Sequence, residues 1–177
     1  MRRSSLRTLY AGLMAASLLV TSLVTTPALA QGRPAPTLEV SAGLVAFPDD
    51  GIVRESAIGA AGRFALSPRV SIGPEAVLIS GEGHGHVMLT GNLVFDLVPS
   101  PAGRPAVVTP FLVVGGGLFH TWESFGGGNA THTEGAFTAG GGVRARVGDR
   151  TTLGVDVRLG WETHVRVSGV VGIRLGR

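Results

Sequence analysis

The chain has 177 residues, 28 of them Gly and none Cys, with 15% charged and 44% hydrophobic residues. The lack of Cys excludes a disulfide framework, a thiolate metal centre and a Cys nucleophile. Low charge with high apolar content excludes a disordered chain.

Arg2, Arg3 and Arg7 precede a mostly apolar run from Leu9 to Val24, and Ala28-Leu29-Ala30 follows. This order predicts an export signal over residues 1–30, cleaved after Ala30. The run is short for a transmembrane helix, which needs ~20 apolar residues. Residues 31–177 then form one domain. All basic residues are Arg, and the three in the leader account for the formal net charge of +3. The remainder is balanced, and its Arg residues are dispersed among acids, so no nucleic-acid partner is expected.

From residue 37 on, apolar residues recur at period two, the signature of strands. Eight segments follow: 37–47, 55–66, 70–79, 86–98, 109–122, 135–147, 151–162 and 164–175. Turn residues separate them, among them Pro48-Asp49-Asp50-Gly51, Ser67-Pro68, Gly81 to Gly85, Gly126 to Asn129 and Gly148-Asp149. Their lengths suit a tilted membrane strand of ~9–11 residues. In 151–162 one face is Leu153, Val155, Val157, Leu159 and Trp161, and the other holds Asp156, Arg158 and Glu162. In 109–122 both faces are apolar, and the pattern does not orient the strand.

The polar faces collect Glu39, Arg63, Glu75, Asp96, Arg144, Arg146, Asp156, Arg158, Glu162, Arg166 and Arg174. Alternation alone allows two barrels. A soluble, lipocalin-like ligand-binding barrel turns the apolar faces inward, and a membrane barrel turns them outward. The charged faces are also rich in small residues such as Gly43, Ala57, Gly59, Ala61, Gly73, Gly154 and Gly172. Large ionic side chains packed inside a narrow barrel need small neighbours, so the expected fold is all-β, a closed eight-stranded antiparallel up-and-down membrane β-barrel. Its charges must pair to be buried. A lumen filled in this way leaves no wide pore.

Leu66-Ser67-Pro68-Arg69-Val70-Ser71-Ile72-Gly73-Pro74-Glu75, the Thr90 to Asp96 strand, Pro110 to Gly117 and the Gly-rich final hairpin carry a resemblance. With the leader, they make the chain similar to the small outer-membrane β-barrel proteins of Gram-negative bacteria, the OmpA/OmpX-like, porin-family barrels. One departure is the end, Leu175-Gly176-Arg177, where such proteins usually finish on an aromatic residue. The resemblance implies an outer-membrane location, with outer-membrane lipid and the barrel-assembly machinery as partners. It also implies a monomer with no cofactor, a structural, adhesion or surface-interaction role, and surface loops at 48–54, 80–85 and 123–134.

Enzymatic activity is not expected. A lipid-modifying enzyme would have to recruit Ser80 or Ser124 with a rim His, and no nucleophile motif supports this. All five His residues, His84, His86, His120, His132 and His164, fall near the ends of segments on one side of the barrel. With Glu82, Glu123 and Glu134 they are the candidates for a transition metal. Polar, wet rim residues are the simpler explanation, and beyond His84-x-His86 no close-spaced ligand signature exists, so no metal is expected.

Overall fold

A computed structural model describes residues 35–49, 51–98, 107–125 and 128–176. The proposed leader, residues 1–30, lies outside the described residues. Eight strands close into an antiparallel barrel in which each strand pairs with its neighbours in sequence and β1 pairs with β8. They are β1 (Thr37–Asp49), β2 (Gly51–Ala65), β3 (Val70–Ser80), β4 (His84–Asp96), β5 (Val108–Phe125), β6 (Gly128–Arg146), β7 (Thr151–Gly160) and β8 (His164–Arg174). β1 begins and β8 finishes at the lower end. The β1–β2, β3–β4, β5–β6 and β7–β8 connections form the upper end.

Two expected loops are strand instead. Residues 48, 49 and 51–54 belong to the β1–β2 ladder, which runs on to Asp49 against Gly51. The 123–134 loop is replaced by a ladder that runs on to Phe125 opposite Gly128. Backbone pairing there runs through Pro, Asp, Gly and Asn residues that read as turn chemistry in the sequence. At the opposite extreme, β7 ends at Gly160 and a 3₁₀ turn, Trp161–Thr163, leads into β8. Thr163 has φ 47°, a left-handed conformation that a β-branched residue rarely adopts.

The alternation decides which face is inside. Leu44, Ile58, Leu93, Leu112, Phe137, Val155 and Val167 all point outward and are 45–60% exposed. Glu39, Arg63, Glu75, Asp156, Arg158 and Arg166 point inward and are buried. A soluble carrier barrel has the reverse arrangement, so the lipocalin-like alternative fails. β5 is oriented as well: Phe111, Val113 and Phe119 face inward, Leu112, Val114 and Leu118 outward. Phe137 and Trp161 meet edge to face at 5.5 Å on the outer surface near the upper end, where a membrane barrel carries part of its aromatic girdle.

The small residues do two different things. A Cβ at Gly172 would lie 2.5 Å from Thr152 Oγ1 and 3.4 Å from Glu39 Cγ, so this glycine does make room beside an ionic side chain. A Cβ at Gly43 or Gly73 would instead strike the backbone carbonyl of Val167 or of Gly62. Those two admit close approach of neighbouring strands, a reason different from the one the composition suggested.

Candidate functional site

The lumen is the region with concentrated chemistry, and it is divided along the barrel axis. In the lower end, Glu39 Oε2 meets Arg63 Nε at 2.5 Å and Asp96 Oδ1 meets Arg144 Nη2 at 2.7 Å. Phe111 lies between the two cations, with the Arg63 and Arg144 guanidinium carbons 5.2 and 4.5 Å from its ring centroid. The aromatic face supplies negative potential to both. Four residues from β1, β2, β4 and β6 thus form two ion pairs whose charges cancel.

Above them is a second neutral quartet. Glu75 on β3 is its hub and is 5% exposed. Glu75 Oε2 accepts from Arg158 Nη1 at 2.5 Å and from Asn92 Nδ2 at 2.7 Å, and Oε1 accepts from Arg166 Nη2 at 2.6 Å. Arg158 Nε also donates to Asp156 Oδ2 at 2.9 Å. Asn92 Nδ2 reaches Thr90 Oγ1 at 3.2 Å. Every formal charge here has a partner, Glu75 reaching across the barrel to Arg158 and Arg166 and Asp156 meeting Arg158 on its own strand, which is the condition for burying it.

The upper half is different. Val45, Ala57, Val77, Ile79, Met88, Phe119 and Ala136 form a buried apolar cluster, with Phe47 packed against it. Ile79 and Val45 are 0% exposed. The paired Arg and carboxylate networks fill the lower and middle levels; above them the lumen is filled by this apolar packing together with Glu55, His86 and His164. A pocket beside Glu39, Arg63, Phe111 and Arg144 has a volume of about 10 Å³, the room that one water needs.

Of the predicted polar-face residues, the structure brings together Glu39, Arg63, Glu75, Asp96, Arg144, Asp156, Arg158 and Arg166. Arg146 and Arg174 are half-buried at the lower strand ends and form no ion pair with another described side chain. The side chain of Glu162 lies outside the described residues, as do those of Glu123 and Ser124.

The histidines separate into three environments. His120 and His132 belong to the upper part of the β5–β6 hairpin: His120 Nδ1 is 2.6 Å from Thr133 Oγ1, and His132 Nε2 is 3.7 Å from Glu134 Oε2. His164 is buried, its Nδ1 donating to the Trp161 carbonyl at 2.7 Å, between Phe47 and Phe119. His84 and His86 turn toward Glu55, a residue that the sequence reading omitted from the polar set. Glu55 is 3% exposed. It continues the lumen-facing series Ala57, Gly59, Ala61, Arg63 by one more step of two. Glu55 is the first residue of the predicted segment 55–66, where no preceding strand residue shows which face it belongs to.

Balanced charge inside, an apolar belt outside and closure over eight strands define the architecture of a small membrane β-barrel. Comparison with solved structures gives the same class. The chain resembles Neisserial surface protein A with a TM-score of 0.70 at 11% identity, covering 82% of this chain and 100% of that one. It resembles the N-terminal β-barrel domain of Pseudomonas aeruginosa OprF with a TM-score of 0.60 at 9% identity, covering 78% and 97%. It resembles Ail, the attachment invasion locus protein of Yersinia pestis, with a TM-score of 0.56 at 10% identity, covering 80% and 98%. No protein-family model and no curated protein sequence matches. What is shared is the fold of small eight-stranded outer-membrane barrels.

Proposed function

We propose that the protein is a barrel of the outer membrane of a Gram-negative bacterium, anchored by its apolar belt, with a structural or surface-interaction role and no enzymatic one. The observation that carries this reading is the inversion of faces: a continuous apolar exterior around buried, mutually paired charges. Water would not favour that exterior, because apolar area exposed to it costs ~25 cal/mol per Å². Lipid removes the cost. The closed lumen supports an interaction role over bulk transport, since an open aqueous channel needs ~16–18 strands. The upper end, with the protruding β5–β6 hairpin, is the part available to an external partner.

Cell fractionation tests the reading. The mature protein is expected in the outer-membrane fraction and to migrate faster on gels when unheated. Recovery as a soluble periplasmic protein without a heat-dependent shift would overturn it. Val157→Arg places a cation on the lipid face, at a cost of ~2–4 kcal/mol near the bilayer midplane. The shifted band should then be reduced or lost, whereas Arg69→Glu, in an exposed turn, should leave it unchanged.

A further inference from the structure

Glu55, His84 and His86 place a carboxylate oxygen and two imidazole nitrogens within 4.8 Å of one another at the upper mouth of the barrel. We propose that these three side chains form a binding site for a divalent transition metal of the zinc type, with its fourth position open to the outside. The proposal goes beyond the anchoring role and rests only on the barrel fold.

Two imidazoles and one carboxylate match the ligand set of open zinc sites, which keep a water in the fourth position. Imidazole also argues against Ca²⁺ or Mg²⁺, which take oxygen ligands. The donors are already aimed. His84 Nδ1 donates to the Glu82 carbonyl at 2.9 Å, which fixes its tautomer and turns Nε2 toward Glu55 Oε1. His86 Nδ1 is 3.0 Å from Thr121 Oγ1, and its Nε2 is 3.7 Å from Glu55 Oε2. A hydrogen-bond partner behind each imidazole is the usual second layer of a metal centre. The His86 ring is held further by stacking on Phe119 at 5.0 Å.

Two further features of the same cluster favour a cation there. Glu55 Oε2 is buried and has no hydrogen-bond partner among the described residues. Gly81 forms a cradle over the cluster: a Cβ there would lie 2.6 Å from Glu55 Oε1 and 2.8 Å from His84 Nε2. Donors of one tetrahedral ion with bonds of ~2.0–2.2 Å sit about 3.3–3.6 Å apart. Small side-chain rotations therefore close the site. A bound ion would tie β2 to the first residues of β4, stapling the mouth.

The test is calorimetric titration of Zn²⁺ into chelator-stripped mature protein refolded in detergent, with the heat-dependent gel shift as a check on folding. One equivalent is expected to bind. Affinity should fall at least tenfold in Glu55→Gln and in His84→Asn, and stay unchanged in His132→Asn. Gly81→Ala should also weaken binding at least tenfold with the gel shift retained, since its methyl would come within 3 Å of the donor atoms of Glu55 and His84 and push them aside while all three ligand side chains are kept. His84 is partly exposed and lies at the loop, so His84→Asn reads binding even if Glu55→Gln fails to fold. X-ray absorption of the zinc-loaded protein should show two imidazole ligands. An absence of binding, or binding that survives both His84→Asn and Gly81→Ala, would reduce the cluster to an ordinary imidazole–carboxylate pair and overturn the proposal.

Discussion

The lower and upper halves of the lumen solve one packing problem by opposite means. Below, two neutral quartets cross-link strands through ion pairs of 2.5–2.9 Å. Above, Phe119, Ile79, Met88, Val45 and Val77 pack without a formal charge among them. A barrel in lipid cannot use the hydrophobic effect to hold its outer face together, because lipid is as apolar as that face. Cohesion has to come from the ladder and the lumen. The ionic half is specific and brittle: removing one member strands its partners. The apolar half is local, and its losses scale with the cavity that a deletion leaves.

This contrast can be broken at chosen residues, and urea unfolding of the refolded barrel reads each change. Glu75→Gln should have the largest effect. It leaves Arg158 with Asp156 alone and Arg166 with no carboxylate partner among the described residues, and should cost about 3–5 kcal/mol, as for a buried pair deprived of one member. A loss under about 1 kcal/mol would mean that Glu75 is not the hub. Phe119→Ala should come next, at about 3 kcal/mol for a buried aromatic truncated in a packed cluster. A double replacement sharpens the distinction. Glu39→Leu alone should be strongly destabilising, but Glu39→Leu together with Arg63→Met should stay within about 1 kcal/mol of the parent, because no unpaired charge remains. Additive losses would show that Glu39 and Arg63 act through other partners.

Strand number and orientation were legible where the two faces differ chemically. Val155 and Val157 against Asp156 and Arg158 left one choice once the small residues suggested a narrow charged interior. β5 was illegible for a physical reason: Phe111, Val113 and Phe119 fill the lumen with apolar bulk, so neither face is polar. The β5–β6 extension was hidden because the sequence from Gly126 to Asn129 reads as a turn, yet Gly128 and Asn129 pair with Phe125 and Ser124 in the ladder. Most of the ionic residues could be read by period two, but which acid meets which Arg could not. Glu75 and Arg166 are 91 residues apart in sequence, and closure of the barrel alone brings them together. Glu55 followed the same period but stood at the very start of its predicted segment, and its pairing with histidines of another strand depends on barrel closure, which the period does not show.

The central claim is that the apolar faces meet lipid. The chain has no Cys, so single cysteines at Leu153, Val155, Val157 and Leu159 can each carry a spin label in protein refolded into bilayers. Collision with dissolved oxygen should exceed collision with a water-soluble nickel chelate at all four, most strongly at Val155 and Val157. Preferential collision with the nickel chelate at the two central positions would contradict the account.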